Sequence, residues 1–305
     1  MTKGRFAPSP SGRMHLGNLF SALLSWLSAR SRGGSIVLRV EDLDPDRCRR
    51  EYALQLMDDF AWLGLDWDEG GDDPSYWQSS RGGLYAAAFE RLREKGLVYP
   101  CFCTRLQRLN EAPHGHDISS ACPCAALTPS EIAQRSVTRP PGWRVRVPQK
   151  SVAFSDGCQG AYTQDLAREC GDFLIRRFDG AWAYQLAVVV DDAAMGVTQV
   201  VRGRDLLPST PRQLWLYEAL GLTAPQFYHV PLLLAPDGRR LAKRDADLDM
   251  GTLRRRCTPQ ELLGLLGHLA GLVPSTGPVT LQELLDSFDW NKVPKEDIKL
   301  QAECL

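Results

Sequence analysis

The segment 5–18, Arg-Phe-Ala-Pro-Ser-Pro-Ser-Gly-Arg-Met-His-Leu-Gly-Asn, constrains the fold most because it runs directly into an amphipathic helix. Apolar residues then recur with the i, i+3, i+4 spacing of a helix with one buried face: Leu16, Leu19, Phe20, Leu23, Leu24 and Leu27. This helix is predicted to begin near Gly17. Its first turn offers unpaired N–H groups and the positive end of the helix dipole, so an anion such as a triphosphate is expected beside His15. The alternative is a loop-to-helix junction that binds nothing.

Strand and helix patterns alternate after this helix. The segment Ser35–Val40 is predicted to form a short apolar strand, and helices are predicted over 49–63 and 83–95, each followed by glycine. This alternation predicts an α/β fold with a parallel sheet. Ligands bind at the carboxyl ends of such strands, so Glu41, directly after the strand, is a candidate for binding an amino or hydroxyl group. A solvated acidic turn is the alternative.

Cysteine spacing predicts a metal site in the next segment. Pro and Gly are frequent between Tyr99 and Pro148, which predicts an insertion with irregular backbone. Four cysteines form a CxC…CxC set there: Cys101, Cys103, Cys122 and Cys124. Four thiolates in two close pairs suit a structural, tetrahedral Zn²⁺ ion. His114 and His116 are alternative ligands, and the five remaining cysteines have no paired spacing.

Composition excludes several classes of protein. Lys and Arg total 36 against 37 for Asp and Glu, a net charge of −1, so any nucleic-acid site must be local. No apolar run approaches the roughly 18 residues that a membrane span needs, and no signal peptide is evident. An odd number of cysteines, nine, argues against a secreted disulfide framework. A soluble, cytoplasmic protein without membrane contact is expected.

Arginine and tyrosine accompany the next predicted sheet elements. The run 181–192 is apolar and ends in Asp191 and Asp192, and 196–201 is a candidate buried strand that leads into Arg202. A guanidinium at the carboxyl end of a strand can form a bidentate pair with a carboxylate. Tyr184 is either a core residue or part of an amino-acid pocket beside Arg202. A helix is predicted from Thr210 to Leu220.

The last predicted strand, Phe227–Leu234, is followed by a Pro/Gly turn and a basic cluster over 239–244. Such a loop could apply Lys243 to the charge on a departing pyrophosphate, although a surface basic cluster is the default explanation. From Cys257 onward the pattern is that of short helices.

Together these residues resemble the class I aminoacyl-tRNA synthetases of the glutamate branch, from Arg5 to about Arg256. His15-Leu-Gly-Asn18 resembles the HIGH signature of that family, and Arg240-Leu-Ala-Lys243-Arg244 resembles its KMSKS loop. The resemblance implies catalytic roles for His15 and Lys243. It implies ATP contacts, with Mg²⁺ accompanying ATP, at His15, Gly17, Asn18, Arg240, Lys243 and Arg244. It places the substrate glutamate among Arg5, Phe6, Ala7, Pro8, Ser9, Glu41, Tyr184 and Arg202.

The resemblance also implies how the chain is divided. Segments 1–98 and 173–250 would form the two halves of a Rossmann-like catalytic domain, the second with the KMSKS-like loop. Segment 99–172 would be the zinc-containing insertion, and 251–305 a short helical C-terminal segment.

Two departures from the family pattern affect individual residues. The loop has Ala242 where the family commonly has Ser, and Arg240 where it commonly has Lys, so the clamp on pyrophosphate lacks one hydroxyl donor. Relatives often use a tyrosine as one zinc ligand four residues before the last cysteine, where this chain has Ser120. Cys122 is therefore expected to replace that tyrosine.

The third departure concerns the acceptor. The 62 residues after Lys243 are too few for the anticodon-reading region of full glutamyl-tRNA synthetases. The resemblance is therefore to the branch of the family that lacks this region. It implies tRNA-independent activation of L-glutamate with ATP, followed by transfer to the queuosine base in the anticodon of tRNA(Asp), and a monomer is expected. The alternatives are a truncated or split glutamyl-tRNA synthetase that charges the tRNA 3′ end, and a non-catalytic, zinc-containing RNA-binding module.

Overall fold

The structure is a computed structural model that describes residues 1–104, 122–241 and 248–300. Its strands are β1 (Lys3–Phe6), β2 (Ser35–Leu38), β3 (Glu69–Gly70), β4 (Val98–Cys101), β5 (Gly142–Val145), β6 (Ser151–Asp156), β7 (Gly160–Asp165), β8 (Phe173–Arg176), β9 (Gln199–Gly203), β10 (Gln226–Val230), β11 (Leu233–Leu234) and β12 (Ile298–Lys299). Its α-helices are α1 (Leu16–Arg30), α2 (Arg50–Trp62), α3 (Gly82–Glu94), α4 (Pro129–Thr138), α5 (Tyr184–Ala194), α6 (Thr210–Leu220), α7 (Met250–Arg256), α8 (Pro259–Leu269) and α9 (Leu281–Ser287).

Parallel strands form the centre of the molecule. β1 pairs in parallel with β2, β2 with β3, and β9 with β10. The N–H of Thr198, just before β9, donates to the carbonyl oxygen of Lys3 at 3.0 Å, which sets β9 beside β1. The predicted α/β fold with a parallel sheet is confirmed, and the carboxyl ends of β1 and β9 lie next to each other.

Helix α1 covers this sheet. It begins at Leu16, close to the predicted start, and all six leucine and phenylalanine residues of the predicted apolar face are at most 1% exposed. Each such side chain contributes about 2 kcal/mol of hydrophobic stabilisation. The burial of this face fixes the N-terminus of α1 against the carboxyl end of β1.

The insertion is more regular than predicted. Helix α4 lies in the segment expected to be irregular and β4 reaches into it, so that prediction is wrong for these parts, whereas β5 falls where the alternation over 143–147 predicts a strand. The reason is local: Thr128 and Glu131 form a capping box around Pro129, and this signal outweighs the prolines on either side. Strands β4, β5 and β8 pair antiparallel, and β6 and β7 form a separate hairpin.

Two predicted apolar segments take different forms. The run 181–192 forms the start and most of α5, whose buried residues cover all sides of the helix, so helical periodicity is absent from its sequence. The strand predicted over 227–234 is split into β10 and β11 around Pro231, which has no N–H to donate to a ladder.

Short helices follow in the C-terminal part, as predicted, and the leucines at 262, 263 and 266 are buried on α8. No helix among the described residues is long and apolar enough to cross a membrane. The division of the chain at 98, 172 and 250 stays a prediction.

Candidate active site and metal site

Two adjoining cavities of about 400 and 500 Å³ open at the carboxyl ends of β1 and β9. Both are lined by Arg5, His15, Asn18 and Arg202. β1 delivers Arg5, β9 delivers Arg202, and the first turn of α1 borders both spaces. The structure therefore brings together most of the residues that the sequence nominated for ATP and glutamate.

The N-terminus of α1 forms one wall. His15 is the residue before the helix, and the N–H of His15 donates to Oδ1 of Asn18 at 3.1 Å, so the Asn18 side chain fixes the entry into the helix. A Cβ atom on Gly17 would lie 3.2 Å from the His15 ring, so the missing side chain leaves room for the imidazole. Polar groups at the positive end of a buried helix suit an anion.

Arg202 is a buried cation held by neutral partners. Its exposure is 5%, its Nε donates to His229 Nε2 at 3.0 Å, and its Nη2 donates to Thr210 Oγ1 and Gln213 Oε1 at 2.8 and 2.7 Å. Nη1 is buried and has no hydrogen-bond partner within the described ranges. Burial lowers the pKa of Arg202. An anionic ligand would supply the missing acceptor.

The neighbouring charges form a paired, buried network. Arg39 is fully buried, and its guanidinium lies 2.6 Å from Asp192 and 2.9 Å from Glu41. Arg5 Nε lies 3.1 Å from Asp192. Burial acts to raise the pKa of Asp192, but Arg39 and Arg5 outweigh it and lower that pKa. Arg39 and Asp192 position Glu41 and Arg5 beside the cavity.

Glu41 and Tyr184 both line the larger cavity. Burial raises the pKa of Glu41, although Arg39 and Arg5 act in the opposite direction. Tyr184 is the first residue of α5, and burial raises its pKa, so its hydroxyl stays protonated. Ala7 and Pro8 line both cavities, Phe6 lines the smaller and Ser9 the larger.

The smaller cavity extends to the described beginning of the KMSKS-like loop. Arg240 and Leu241 line it, and Arg240 Nη1 lies 3.2 Å from Asp205 Oδ2. Ala242, Lys243 and Arg244 lie outside the described residues.

The four paired cysteines converge. Their sulfur atoms all lie within 4.8 Å of one another: Cys101, Cys103, Cys122 and Cys124. Neighbouring sulfur atoms are 3.5 to 3.8 Å apart, against about 3.8 Å for a tetrahedron with Zn–S bonds of about 2.3 Å. The donor set and its spacing fit a tetrahedral metal ion, with Cys122 as the fourth sulfur.

Two donors outside this group support the thiolate form of the ligands. Arg144 Nε donates to Cys101 Sγ at 3.3 Å, and the N–H of Phe102 donates to Cys124 Sγ at 3.3 Å. Such donors stabilise negative charge on sulfur. The alternative ligands His114 and His116, and Ser120, lie outside the described residues.

Comparison with known proteins identifies the family. Residues 1–303 match the family model of the class I tRNA synthetase (E and Q) catalytic domain. The chain belongs to this family. It is therefore an ATP-dependent ligase, as the resemblance implied.

Curated relatives in this synthetase family share one name. The chain is 46% identical to a glutamyl-Q tRNA(Asp) synthetase of Symbiobacterium thermophilum, covering 100% of this chain and 98% of that protein. It is 46% identical to the protein of the same name from Nitratidesulfovibrio vulgaris, with 100% and 97% covered. The corresponding protein of Neisseria meningitidis FAM18 is 41% identical, with 98% and 99% covered.

Solved structures place the synthetase fold among glutamate tRNA ligases. The ligase from Elizabethkingia meningosepticum, in complex with its amino acid, superposes with a TM-score of 0.85 at 27% identity, covering 99% of this chain and 68% of that chain. The glutamate tRNA synthetase of Elizabethkingia anophelis gives the same values.

Several residues of the synthetase site were missed in the sequence. Arg39 interrupts the apolar run 36–40, whose first part forms β2, and His229 interrupts the apolar run of β10, while Asp192 ends the apolar run 181–192. Each is a charged or titratable residue inside an otherwise apolar element, and that signal could have identified it. Asp156 sits at the end of a partly exposed strand, where no comparable signal exists.

Proposed function

We propose that the chain activates L-glutamate with ATP, without tRNA, and transfers the glutamyl group to the queuosine base of tRNA(Asp). The observation that carries this proposal is the buried guanidinium of Arg202, whose Nη1 faces no acceptor in the described part of the chain, beside the N-terminus of α1. A carboxylate ligand and a triphosphate ligand would complete both features. The names of the relatives supply the acceptor.

Arg202 and Arg5 would bind the side-chain carboxylate of glutamate. A guanidinium pairs with both oxygens of a carboxylate, whereas the amide of glutamine would bring an N–H₂ group against it. Glu41, held by Arg39, would bind the α-ammonium group, and Tyr184 would close the pocket. Ala7, Pro8 and Ser9 would shape the pocket after β1.

Activation would take place between the two cavities. An oxygen of the α-carboxylate attacks the α-phosphorus of ATP, the bond from phosphorus to the bridging oxygen breaks, and pyrophosphate leaves with the electron pair. His15, Gly17 and Asn18 would hold the phosphates at the start of α1, with Mg²⁺ accompanying ATP. Lys243, Arg240 and Arg244 would stabilise the charge on pyrophosphate.

Transfer would take place at the carbonyl carbon of the glutamyl group, which activation has joined to the phosphate of AMP. A hydroxyl of the acceptor attacks this carbon, the bond to the phosphate oxygen of AMP breaks, and the hydroxyl proton is released. Placement and charge stabilisation account for both steps without a covalent enzyme intermediate.

The four-cysteine site would hold a structural Zn²⁺ ion. Cysteine sulfur donors in tetrahedral array favour Zn²⁺ over hard cations such as Mg²⁺. The ion would join β4 to the segment that begins at Cys122 and so order the insertion beside the catalytic domain.

Coverage of the relatives favours the queuosine acceptor. The chain covers 97–98% of the first two relatives named for tRNA(Asp), against 68% of the glutamate tRNA ligase chain. The second candidate, charging of a tRNA 3′ end by a split glutamyl-tRNA synthetase, shares the activation step and differs only in acceptor.

Two assays test the proposal. Glutamate-dependent exchange of pyrophosphate into ATP is expected in the absence of any tRNA, and its absence would refute the proposed tRNA-independent activation. Labelled glutamate is then offered to tRNA(Asp) with queuosine, to a tRNA(Asp) transcript without it, and to queuosine-containing tRNA(Asp) that lacks the 3′-terminal CCA. Transfer is expected to the first and third substrates. Transfer to tRNA(Glu) that depends on its 3′ end would establish the second candidate instead.

A further inference from the structure

A chain of three buried side chains stands behind the carboxylate site. Asp156, at the end of β6, lies with Oδ2 2.6 Å from His229 Nδ1. His229, on β10, lies with Nε2 3.0 Å from Arg202 Nε. Asp156 is 3% exposed and His229 is 0% exposed, so solvent supplies neither with a partner.

Asp156 is held in its ionised form. Its Oδ1 accepts the backbone N–H groups of Cys158, Gln159 and His229 at 3.0, 2.8 and 3.0 Å. Burial acts to raise the pKa of Asp156, but the hydrogen bonds from His229 and the backbone outweigh it and lower that pKa. A carboxylate only accepts hydrogen bonds, so Nδ1 of His229 must carry a proton.

The other ring nitrogen must then be unprotonated. Arginine is always protonated and only donates, so His229 Nε2 has to accept from Arg202 Nε. His229 is consequently neutral, with its proton on Nδ1. Burial lowers the pKa of His229, which agrees with a neutral ring. One protonation pattern alone satisfies all three groups.

We propose that Asp156 and His229 are positioning residues for substrate recognition: through the Nδ1-protonated tautomer they hold Arg202 Nε and direct Nη1 toward the side-chain carboxylate of glutamate. This inference rests on the proposed role of Arg202 in glutamate binding. Thr210 and Gln213 accept from Nη2, and Thr210 Oγ1 also lies 3.1 Å from His229 Nε2. Three of the five guanidinium N–H groups are therefore bonded before substrate arrives. The arrangement lowers the entropy that binding would otherwise cost.

Pyrophosphate exchange at varied glutamate concentration tests the inference. Asp156→Asn places an amide N–H₂ group beside Nδ1, which can accept from that group only if the ring proton moves to Nε2. The Nε2–H of His229 and the Nε–H of Arg202 would then be two donors facing each other. The KM for glutamate is expected to rise about tenfold or more, because the loss of one hydrogen bond to a charged group weakens binding by about that factor. The KM for ATP and kcat are expected to change less than about threefold, because the helix α1 site is untouched.

Two variants at position 229 distinguish the effect of the hydrogen-bond acceptor for Arg202 from the effect of side-chain volume. His229→Gln retains an oxygen that can accept from Arg202 Nε, whereas His229→Leu retains similar bulk without an acceptor. The Gln variant is expected to keep a lower KM for glutamate than the Leu variant. The matched controls are His268→Leu, on the exposed face of α8, and Asp165→Asn, at the end of the same hairpin, and both are expected to behave like wild type.

The outcomes are distinct. If the wild-type chain shows no exchange, the proposed function fails. If it is active while Asp156→Asn keeps the wild-type KM for glutamate, or while Gln and Leu at position 229 raise it equally, the positioning inference fails. The ¹⁵N shifts of the His229 ring in the wild-type protein give a readout that needs no variant: a proton on Nδ1 and none on Nε2 is expected, and the opposite tautomer would overturn the inference.

Discussion

Replacing Arg39 by Met is expected to destabilise the fold severely, because Arg39 neutralises the charge of carboxylates that are buried away from solvent. Its guanidinium lies 2.6 Å from Asp192 and 2.9 Å from Glu41, with Asp191 at 3.8 Å, and its own exposure is 0%. Breaking a buried pair by removing one partner costs about 3–5 kcal/mol, since the remaining charge stays desolvated. Met keeps most of the volume, so the loss is mainly electrostatic.

A second variant isolates the charge effect. In the double variant Arg39→Met with Glu41→Gln, Asp192 still faces Arg5 at 3.1 Å and Asp191 still faces Arg81 at 2.6 Å. The remaining charges are then balanced, so the double variant is expected to be more stable than Arg39→Met alone by about 1–2 kcal/mol.

Urea denaturation gives the free energy of unfolding of each variant. The control is Arg93→Met, which removes a pair to Glu90 at 2.5 Å whose partners are 57% and 45% exposed. This exposed i,i+3 pair is worth at most about 0.5 kcal/mol. If the free energies of unfolding of Arg39→Met and Arg93→Met differ by less than about 0.5 kcal/mol, the upper value for an exposed pair, burial does not determine the cost of losing the ion pair, and the reasoning is refuted.

The pH dependence of the same variants has a defined sign. The folded-state pKa of Asp192 is lowered, so its contribution to stability is present above its unfolded pKa and is lost as the pH falls through the folded value. Arg39→Met removes the main cause of that lowering. The difference in stability between wild type and Arg39→Met is therefore expected to shrink as the pH falls through the acidic range.

Three further changes address the two sites. Cys122→Ser is expected to lower bound zinc, measured by native mass spectrometry, whereas Cys257→Ser, outside the cluster, should leave it unchanged; full zinc in the first variant would remove Cys122 from the ligand set. Arg202→Gln is expected to raise the KM for glutamate by about a hundredfold, through loss of a charge-assisted contact, and an unchanged KM would exclude Arg202 from binding. Gly17→Ala places a Cβ 3.2 Å from the His15 ring and is expected to slow pyrophosphate exchange by raising the KM for ATP, with the KM for glutamate as the internal control.

Local patterns sufficed for the parts of the fold whose stability is local. The spacing of apolar residues predicts the buried face of α1 and the helix over 210–220, and the spacing of the four cysteines predicts that they form one metal site. The run that forms α5 has no periodicity because it is buried on all sides, so strand and helix could not be separated by pattern.

The charged interior required the structure. The partners of Arg39 are Asp192 on α5 and Glu41, three residues after β2. The separation of 153 residues between Arg39 and Asp192 leaves no local signal. The prediction that Glu41 lies at the carboxyl ends of the parallel strands follows from the sequence, but its ion pair with Arg39 depends on which elements the fold brings together. Pairing of this kind is a tertiary property, whereas a strand end is a local one.

The contrast between paired and unpaired arginines explains how one site can be selective for charge. Arg5 and Arg39 each have a carboxylate partner, so a ligand that approached them would have to compete with Asp192 or Glu41. Arg202 has only neutral partners in the described part of the chain, and its position is set by His229, Thr210 and Gln213. A buried cation without a counter-ion is costly until an anion arrives, and a neutral amide relieves that cost poorly. The charge that the fold leaves uncompensated is thus the one that a glutamate side chain would neutralise, and its neutral hydrogen-bond partners keep it in place.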